Sequence, residues 1–336
     1  MSRLVLHAPG VRTGGGLVLL QQLLSVPDSP LAFATLDARA VPQLAAPPGA
    51  IVHPVAPSLA GRLRAELLLA RQSRAGDRIL CFHGMPPIRR LAGKVTVFLQ
   101  NRHYFGLEPA SSFDGRTRLR LPLERLICRA FRHHVDEYIV QTPHMASATR
   151  TWHRGDPRVR IIPYLDIEPT EAATESVHDF IYVADGEAHK NHRNLLAAWR
   201  LLAQEGLRPS LGLTLEGRFG ALLSEIDAAR RGHDLRIANL GALRREEVLR
   251  AYGASRALIF PSISESFGLP LVEAARAGLP VIAPELDYVR DVCEPAQTFD
   301  PRSPVSSARA VRRFLGVPQT RERVRSASEF LREVMQ

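Results

Sequence analysis

Short apolar runs alternate along this chain with stretches whose apolar residues recur at helical spacing. That is the pattern of parallel strands joined by helices. In the first half, strands are predicted at Arg3–His7, Arg78–His83, Val95–Gln100 and Glu137–Val140. Pro122 suits the opening turn of a helix, and Leu123, Leu126, Ile127, Ala130 and Phe131 then fall on one helical face. The second half repeats the alternation more regularly. Strands at Asp179–Ala184, Leu211–Glu216, Leu235–Leu240, Ala257–Phe260 and Val281–Ala283 interleave with helices at Asn194–Gln204, Leu222–Arg230, Arg245–Tyr252 and Leu269–Arg276. A closing helix is predicted over Arg321–Val334, with Val324, Ala327, Phe330, Leu331 and Val334 on one face. Between the halves, Asp166 to His178 is acidic and rich in small residues, the composition of an interdomain linker. The expected fold class is therefore α/β. Two Rossmann-like βα domains at 1–165 and 179–318 are joined by a linker at 166–178 and followed by a helix at 319–336. Ligand sites are expected at the carboxyl ends of strands facing the cleft between the domains.

The 336 residues suffice for two domains without a disulfide or structural metal. Hydrophobic residues at 45% and charged residues at 23% exclude wholesale disorder. No run of about 18 apolar residues occurs, so no transmembrane helix is expected. The first residues read as a strand entering the fold rather than a secretory core, which leads to the expectation of a cytoplasmic protein. Cys81, Cys128 and Cys293 lie far apart and the histidines lack ligand spacing, so free thiols and no metal site are expected. A net charge of +10 draws anions: nucleic acid, acidic membrane or phosphorylated substrates. Of the 44 basic residues only Lys94 and Lys190 are lysines. A compact ammonium and a planar guanidinium do different work, so each lysine raises a question.

Candidate chemistry gathers at strand ends. The segment Phe260–Pro284 leaves a strand, passes a Ser/Gly-rich turn and enters a helix near Gly268. Amides at that helix start attract an anion. Glu265 and Glu273 beside it suit the paired hydroxyls of a sugar; they also read as a capping carboxylate and a solvated helix position. Lys190 follows a strand and a turn at Gly186, which puts it at the cleft mouth. A point charge there can neutralise a leaving diphosphate, as a metal ion does elsewhere. The loop Pro9–Gly16 follows the first strand and opens a helix, and its glycines let the backbone approach a ligand. At Phe98–Gly106 a strand ends in polar and aromatic residues, among them Gln100, Asn101 and His103; the turn His83–Pro87 is a second cleft-side loop. Arg125, Arg129 and Arg132 share a helix face beside an apolar stripe, which fits a solvated face or an anionic bilayer.

Pro261, Ser262, Glu265, Phe267, Gly268, Leu269, Pro270, Glu273, Ala274, Gly278, Pro280 and Val281 together match a signature. By it the chain resembles glycosyltransferase family four, retaining enzymes with the two-domain GT-B fold. The resemblance spans about Phe180 to Pro301 and reaches the first domain only in outline. It implies an acceptor-side first domain, a donor-side second domain, and a C-terminal helix that crosses back to the first. Glu265 would face the transferred sugar, Glu273 would hold ribose hydroxyls, and amides near Phe267, Gly268 and Leu269 would line the sugar and diphosphate. Lys190, followed by Asn191, would hold the phosphates, with Gly15 and Gly16 nearby; Asn101 and His103 would orient the acceptor. The family's arginine five or six residues before that lysine is replaced here by Asp185 and Ala184. Arg193 or Arg218 is expected to take over, or the clamp is weaker.

The implied function is retaining sugar transfer from a UDP- or GDP-sugar, without metal or other cofactor, to a glycan or lipid-linked acceptor. Bacterial polysaccharide or lipopolysaccharide synthesis is its expected setting, with peripheral contact at an anionic inner membrane. The alternatives are a GT-B sugar-nucleotide epimerase, a catalytically inactive scaffold, and a basic nucleic-acid-binding protein. An aromatic content of 6% and the lack of a reading motif argue against the last. A phosphorylase would need a lysine bearing pyridoxal phosphate, and neither lysine has that context.

Overall fold

The computed structural model describes residues 3–82, 84–105, 115–166 and 176–318. The first domain is a seven-stranded sheet of β1 (Leu4–Ala8), β2 (Leu31–Asp37), β3 (Ile51–Val55), β4 (Arg78–Cys81), β5 (Lys94–Phe98), β6 (Glu137–Val140) and β7 (Val159–Ile161), in the order β3-β2-β1-β4-β5-β6-β7. Its helices are α1 (Gly14–Leu24), α2 (Leu59–Gln72), α3 (Gly115–Phe131) and α4 (Pro143–His153). In the second domain β8 (His178–Tyr182), β9 (Leu211–Leu213), β10 (Ile237–Asn239), β11 (Ser255–Ile259), β12 (Val281–Pro284) and β13 (Gln297–Phe299) form a six-stranded sheet ordered β10-β9-β8-β11-β12-β13. Helices α5 (His192–Gln204), α6 (Gly220–His233), α7 (Arg245–Gly253), α8 (Leu269–Arg276), α9 (Asp287–Arg290) and α10 (Pro304–Phe314) complete it. Adjacent strands of both sheets pair in parallel. The GT-B architecture of two parallel-sheet domains is thus present.

Strands covered on both faces read as unbroken apolar runs, and β8 and β11 show it: Phe180, Ile181, Tyr182, Ala257, Leu258 and Ile259 are fully buried. Trp199 of α5 packs edge-on against Phe180 at 5.6 Å, and its indole donates to the Pro209 carbonyl at 3.0 Å. The strand order reverses between β1 and β4 in one domain and between β8 and β11 in the other. In open parallel sheets such switch points open a crevice at the carboxyl ends of the strands.

At the end of the first domain Tyr164 donates its hydroxyl to the Leu19 carbonyl at 2.9 Å, and Gln22 bonds the Asp166 backbone at 2.7 and 3.0 Å. The two domains touch through particular bonds. Arg276 of α8 reaches the Leu165 carbonyl at 2.9 Å, and Asp291 accepts the His144 amide at 2.9 Å.

Two helix expectations change. Pro122 lies inside α3 rather than at its start; it is exposed, so water replaces the backbone bond that proline cannot make. The arginine face of α3 also breaks up, because Arg125 turns inward and donates to the His103 carbonyl at 2.8 Å. The linker expected at 166–178 lies largely outside the described residues, as does His83. The closing helix expected over Arg321–Val334 lies wholly outside them.

Candidate donor and acceptor site

The second domain builds its part of the site from two loops stitched together at the β8/β11 switch point. After β8 the chain makes a single 3-10 turn, Ala188–Lys190, and Asn191 adopts a left-handed conformation (φ 62°) before α5 begins. The Asn191 side chain donates to the carbonyls of Pro261 and Pro301 at 3.1 and 2.7 Å. The Ile263 amide and the Ser262 hydroxyl both donate to the His189 carbonyl, at 2.9 and 3.1 Å. Tyr182 donates its hydroxyl to the Lys190 carbonyl at 2.7 Å, and Tyr288 to the Ser262 carbonyl at 2.6 Å.

This frame holds Lys190 against Glu265, Nζ to Oε1 at 2.7 Å, with the two side chains only 16% and 12% exposed. Burial disfavours the charge on each. For Lys190 the carboxylates of Glu265 and Asp185 outweigh burial and raise its pKa. For Glu265 burial is outweighed by Lys190 and His189, and its pKa is lowered. Both therefore stay ionised near neutrality. Burial and the neighbouring Lys190 cation push His189 down to about 4, which keeps its imidazole neutral.

Next in sequence, Gly268 takes a left-handed turn (φ +70°) that starts α8. An alanine there would be strained by that backbone, and its Cβ would lie 3.0 Å from Leu271 Cδ1. Phe267, just before this turn, is buried. Gly15 meets this helix start from the other domain: a Cβ there would lie 2.3 Å from Leu269 Cδ1. A Cβ on Gly16 would lie 3.3 Å from Gln100 Oε1. The glycine loop is thus where the first domain approaches α8 and the end of β5.

Between the domains opens a cavity of about 930 Å³. Glu265, His189, Ser264 and Ser266 line it from the second domain; Asn101, His103 and Gly16 line it from the first. Asn101 accepts the His103 amide at 2.9 Å, which caps the 3-10 turn Arg102–Phe105, and the rings of His103 and His189 lie 5.7 Å apart. Of the predicted residues, Glu265, Gly16, Asn101 and His103 line this cavity; Lys190 is paired with Glu265, and Gly15 touches Leu269, next to Phe267 and Gly268.

Three predicted residues stand elsewhere. Glu273 is buried, with Oε1 on Arg245 and Oε2 accepting from Tyr252 at 3.1 Å, so it is not a solvated helix position. Arg193 forms a bidentate pair with Glu225 of α6, at 2.8 and 2.7 Å, and is exposed away from the cavity lining. Arg218 pairs with Glu216 at 2.9 Å and lies over the Phe219 ring, which packs on Gly186.

Sequence reasoning missed part of the first-domain wall of the cavity. His7, at the end of β1, bonds Thr35 through Nδ1 at 2.6 Å and faces Glu66 at 3.5 Å from Nε2. Arg12, Arg39, Arg62, Arg102 and Arg120 line the same space. Position at the carboxyl end of the first strand was the one available signal for His7; the arginines come from loops and helices with none. Among the described residues no group of three or more His, Cys, Asp and Glu could hold a metal ion.

Residues 167–329 match the family model described as glycosyl transferases group 1. The serotype-specific mannosyltransferase WbdA of Escherichia coli is 33% identical over 159 residues, 46% of this chain and 19% of that protein. The O-antigen chain mannosyltransferase B of Escherichia coli is 33% identical over 116 residues, 33% of this chain and 30% of that one. The chain thus spans about a fifth to a third of the length of these relatives. Sucrose-phosphate synthase from Thermosynechococcus elongatus superposes with a TM-score of 0.70 at 16% identity, covering 94% of this chain and 90% of that one. Anabaena HepE, solved in complex with UDP-glucose, gives a TM-score of 0.65 at 15% identity over the same shares.

Proposed function

We propose, from the match of residues 167–329 to the model described as glycosyl transferases group 1, that the protein moves a sugar from a nucleotide-sugar donor to an acceptor. The donor is a UDP- or GDP-linked hexose, and the mannosyltransferase relatives make mannose the first sugar to test. The acceptor is a glycan or lipid-linked sugar of a bacterial surface polysaccharide, handled at the cytoplasmic side of the inner membrane. No metal ion takes part.

The observation that carries this reading is the Lys190–Glu265 pair at the β8/β11 switch point, whose carboxylate lines the interdomain cavity. A diphosphate at the amide end of α8 would take Lys190, paired with that carboxylate, as its counter-charge. As the bond from the sugar C1 to phosphate breaks, negative charge grows on the leaving oxygen, and a fixed cation out of bulk water stabilises it. Glu265 keeps Lys190 oriented and presents its second oxygen to the sugar. The acceptor oxygen bonds to C1 on the face the phosphate leaves, its proton passing to a phosphate oxygen, so configuration is retained. His103, Asn101 and His7 stand on the first-domain side, where the acceptor hydroxyl must lie.

The test is a panel of nucleotide sugars scored by thermal stabilisation, because a ligand that binds only the folded chain raises its melting point. Transfer assays follow with the best donor, with and without chelator. Stabilisation by a UDP- or GDP-hexose and chelator-resistant transfer are expected. No response to any donor would overturn the reading, and conversion of the donor without an acceptor would favour the epimerase.

A further inference from the structure

Helices α2 and α3 turn the same kind of face to the cavity. Leu59, Arg62, Leu63 and Glu66 of α2 line it at positions i, i+3, i+4 and i+7, and Arg120, Leu123, Glu124 and Ile127 of α3 do so at the same spacing. Each face sets one arginine and one carboxylate among aliphatic side chains. The sugar transfer proposed above uses none of these groups.

The carboxylates are committed, and the arginines are not. Glu66 accepts the Ile88 amide at 3.1 Å and faces His7 at 3.5 Å, although Arg62 lies one helical turn before it. Glu124 is buried between Arg62, whose Nη1 is 3.9 Å away, and Arg120, whose Nε is 3.2 Å away. One carboxylate thus answers two guanidinium groups, and burial raises its pKa despite both. The remaining carboxylate on the cavity lining, Glu265, is paired with Lys190. A guanidinium carries five donors in a planar fork, yet among the described residues Arg62 donates no hydrogen bond. Such a fork takes a carboxylate or a phosphate ester through two parallel bonds. Leu63, Leu123 and Ile127 beside the arginines suit the apolar C–H face of a sugar ring rather than a bare anion.

We propose that the acceptor is an acidic saccharide, with its carboxylate or phosphate ester held by Arg62 and Arg120 and its ring laid on the aliphatic side chains beside them. This rests on the glycosyltransferase reading, in which the acceptor approaches from the first domain, and narrows that acceptor from any glycan to a charged one. The test is ligand-observed NMR on the full chain with UDP or GDP added to fill the donor end. Mannose, mannuronic acid, mannose 6-phosphate and inorganic phosphate are the probes. One of the two charged sugars should bind at least about tenfold tighter than mannose and than inorganic phosphate, by a margin that shrinks as salt rises. Which of them does so separates a carboxylate from a phosphate ester. Arg62→Gln and Arg120→Gln each leave the other guanidinium beside Glu124, so the buried carboxylate keeps a partner. Each should weaken the charged sugar at least about fivefold while UDP or GDP affinity, read by calorimetry, stays within about twofold. Charged sugars that bind no better than mannose, or that bind both variants as they bind wild type, would overturn the proposal. So would a nucleotide affinity that falls about tenfold in either variant, because the arginines would then serve the donor phosphates. Inorganic phosphate that binds as well as the charged sugars would overturn it too, by marking a bare anion site. Wild type that takes a charged sugar but neither UDP nor GDP would refute the donor reading and leave the acidic-sugar site standing. Nucleotide binding with no preference for a charged sugar would do the reverse.

Discussion

Replacing Lys190 by methionine removes a cation that compensates a buried carboxylate, and the size of the loss should depend on pH. The pair is 2.7 Å apart and mostly buried, and breaking such a pair by deleting one partner costs about 3 to 5 kcal/mol. Protonation limits that cost. Without Lys190, burial becomes the dominant influence on Glu265 and raises its pKa above the unfolded value of about 4.3, so the folded variant can take up a proton instead. Holding that proton at pH 8 costs about 5 kcal/mol, so the full 3 to 5 kcal/mol is lost; at pH 5 neutralisation costs only about 1 kcal/mol. In the wild type the sign is opposite. Glu265 has a lowered pKa when folded, so its contribution is present above the unfolded value and fades as pH falls through the folded one. The gap between the two proteins should therefore widen from about 1 kcal/mol at pH 5 to about 3 to 5 kcal/mol at pH 8. For a domain of this size, 3 kcal/mol is about 6 to 12 °C in melting temperature, well within calorimetric resolution. The double variant Lys190→Met/Glu265→Gln carries no unpaired charge and should recover most of the stability. It should not recover turnover, which loses about 100- to 1000-fold with the cation that meets the leaving group. Equal stability of Lys190→Met and wild type at pH 8, or a loss of the same size at both pH values, would refute this account of the pair.

Three further outcomes follow from the same geometry. Burial pushes His189 and His192 down to about 4 and about 3, so the unfolded chain protonates first as pH drops. Stability should be complete above about pH 6.5 and fall by about 1.4 kcal/mol per pH unit per group below it. A melting-temperature profile from pH 7 to 5 checks this, and His192→Phe should make it shallower. Gly268→Ala forces a side chain into a left-handed turn beside Leu271; it should cost about 1 to 3 kcal/mol and abolish donor-induced stabilisation, read by calorimetry and thermal shift. Arg193→Ala breaks only an exposed pair with Glu225, so stability should change by less than about 1 kcal/mol and donor affinity by titration should not change; a large fall in affinity would return Arg193 to the phosphates.

What the sequence disclosed was local. Helix α8 begins and ends at Leu269 and Arg276 as its apolar spacing indicates, and β6 at Glu137 and Val140 likewise. The Lys190 and Glu265 loops were legible because each follows a clear strand and carries its chemistry within a few residues of the strand end. By contrast β2, Leu-Ala-Phe-Ala-Thr-Leu-Asp, is buried almost throughout and shows no alternation to separate a strand from a buried helix segment. Helix α10 hides its inner face in Ser307, Ala308, Ala310 and Val311, mostly small residues that give little hydrophobic signal. Partners distant in sequence left no trace at all: Glu273 with Arg245, and His7 with Glu66.

The missing arginine shows why distance along the chain misleads about charge. Arg193 is three residues from Lys190, yet α5 starts at His192, and the helix carries Arg193 round to face α6. Asp185, at the position where an arginine would stand, spends Oδ1 on the Glu187 amide at 3.1 Å, shaping the turn rather than gripping a phosphate. The arginines around the cavity all come from the first domain, Arg12 from a loop beside its sheet and Arg102 from the 3-10 turn after β5. On the proposed reading Lys190 would be the second domain's cation beside the leaving group, and the arginines lining the cavity would reach an anion from across the cleft. A clamp divided between two domains holds its ligand best when they are together, so on the proposed reading the charge that would bind the diphosphate would also favour a closed arrangement that keeps water from the reacting bond.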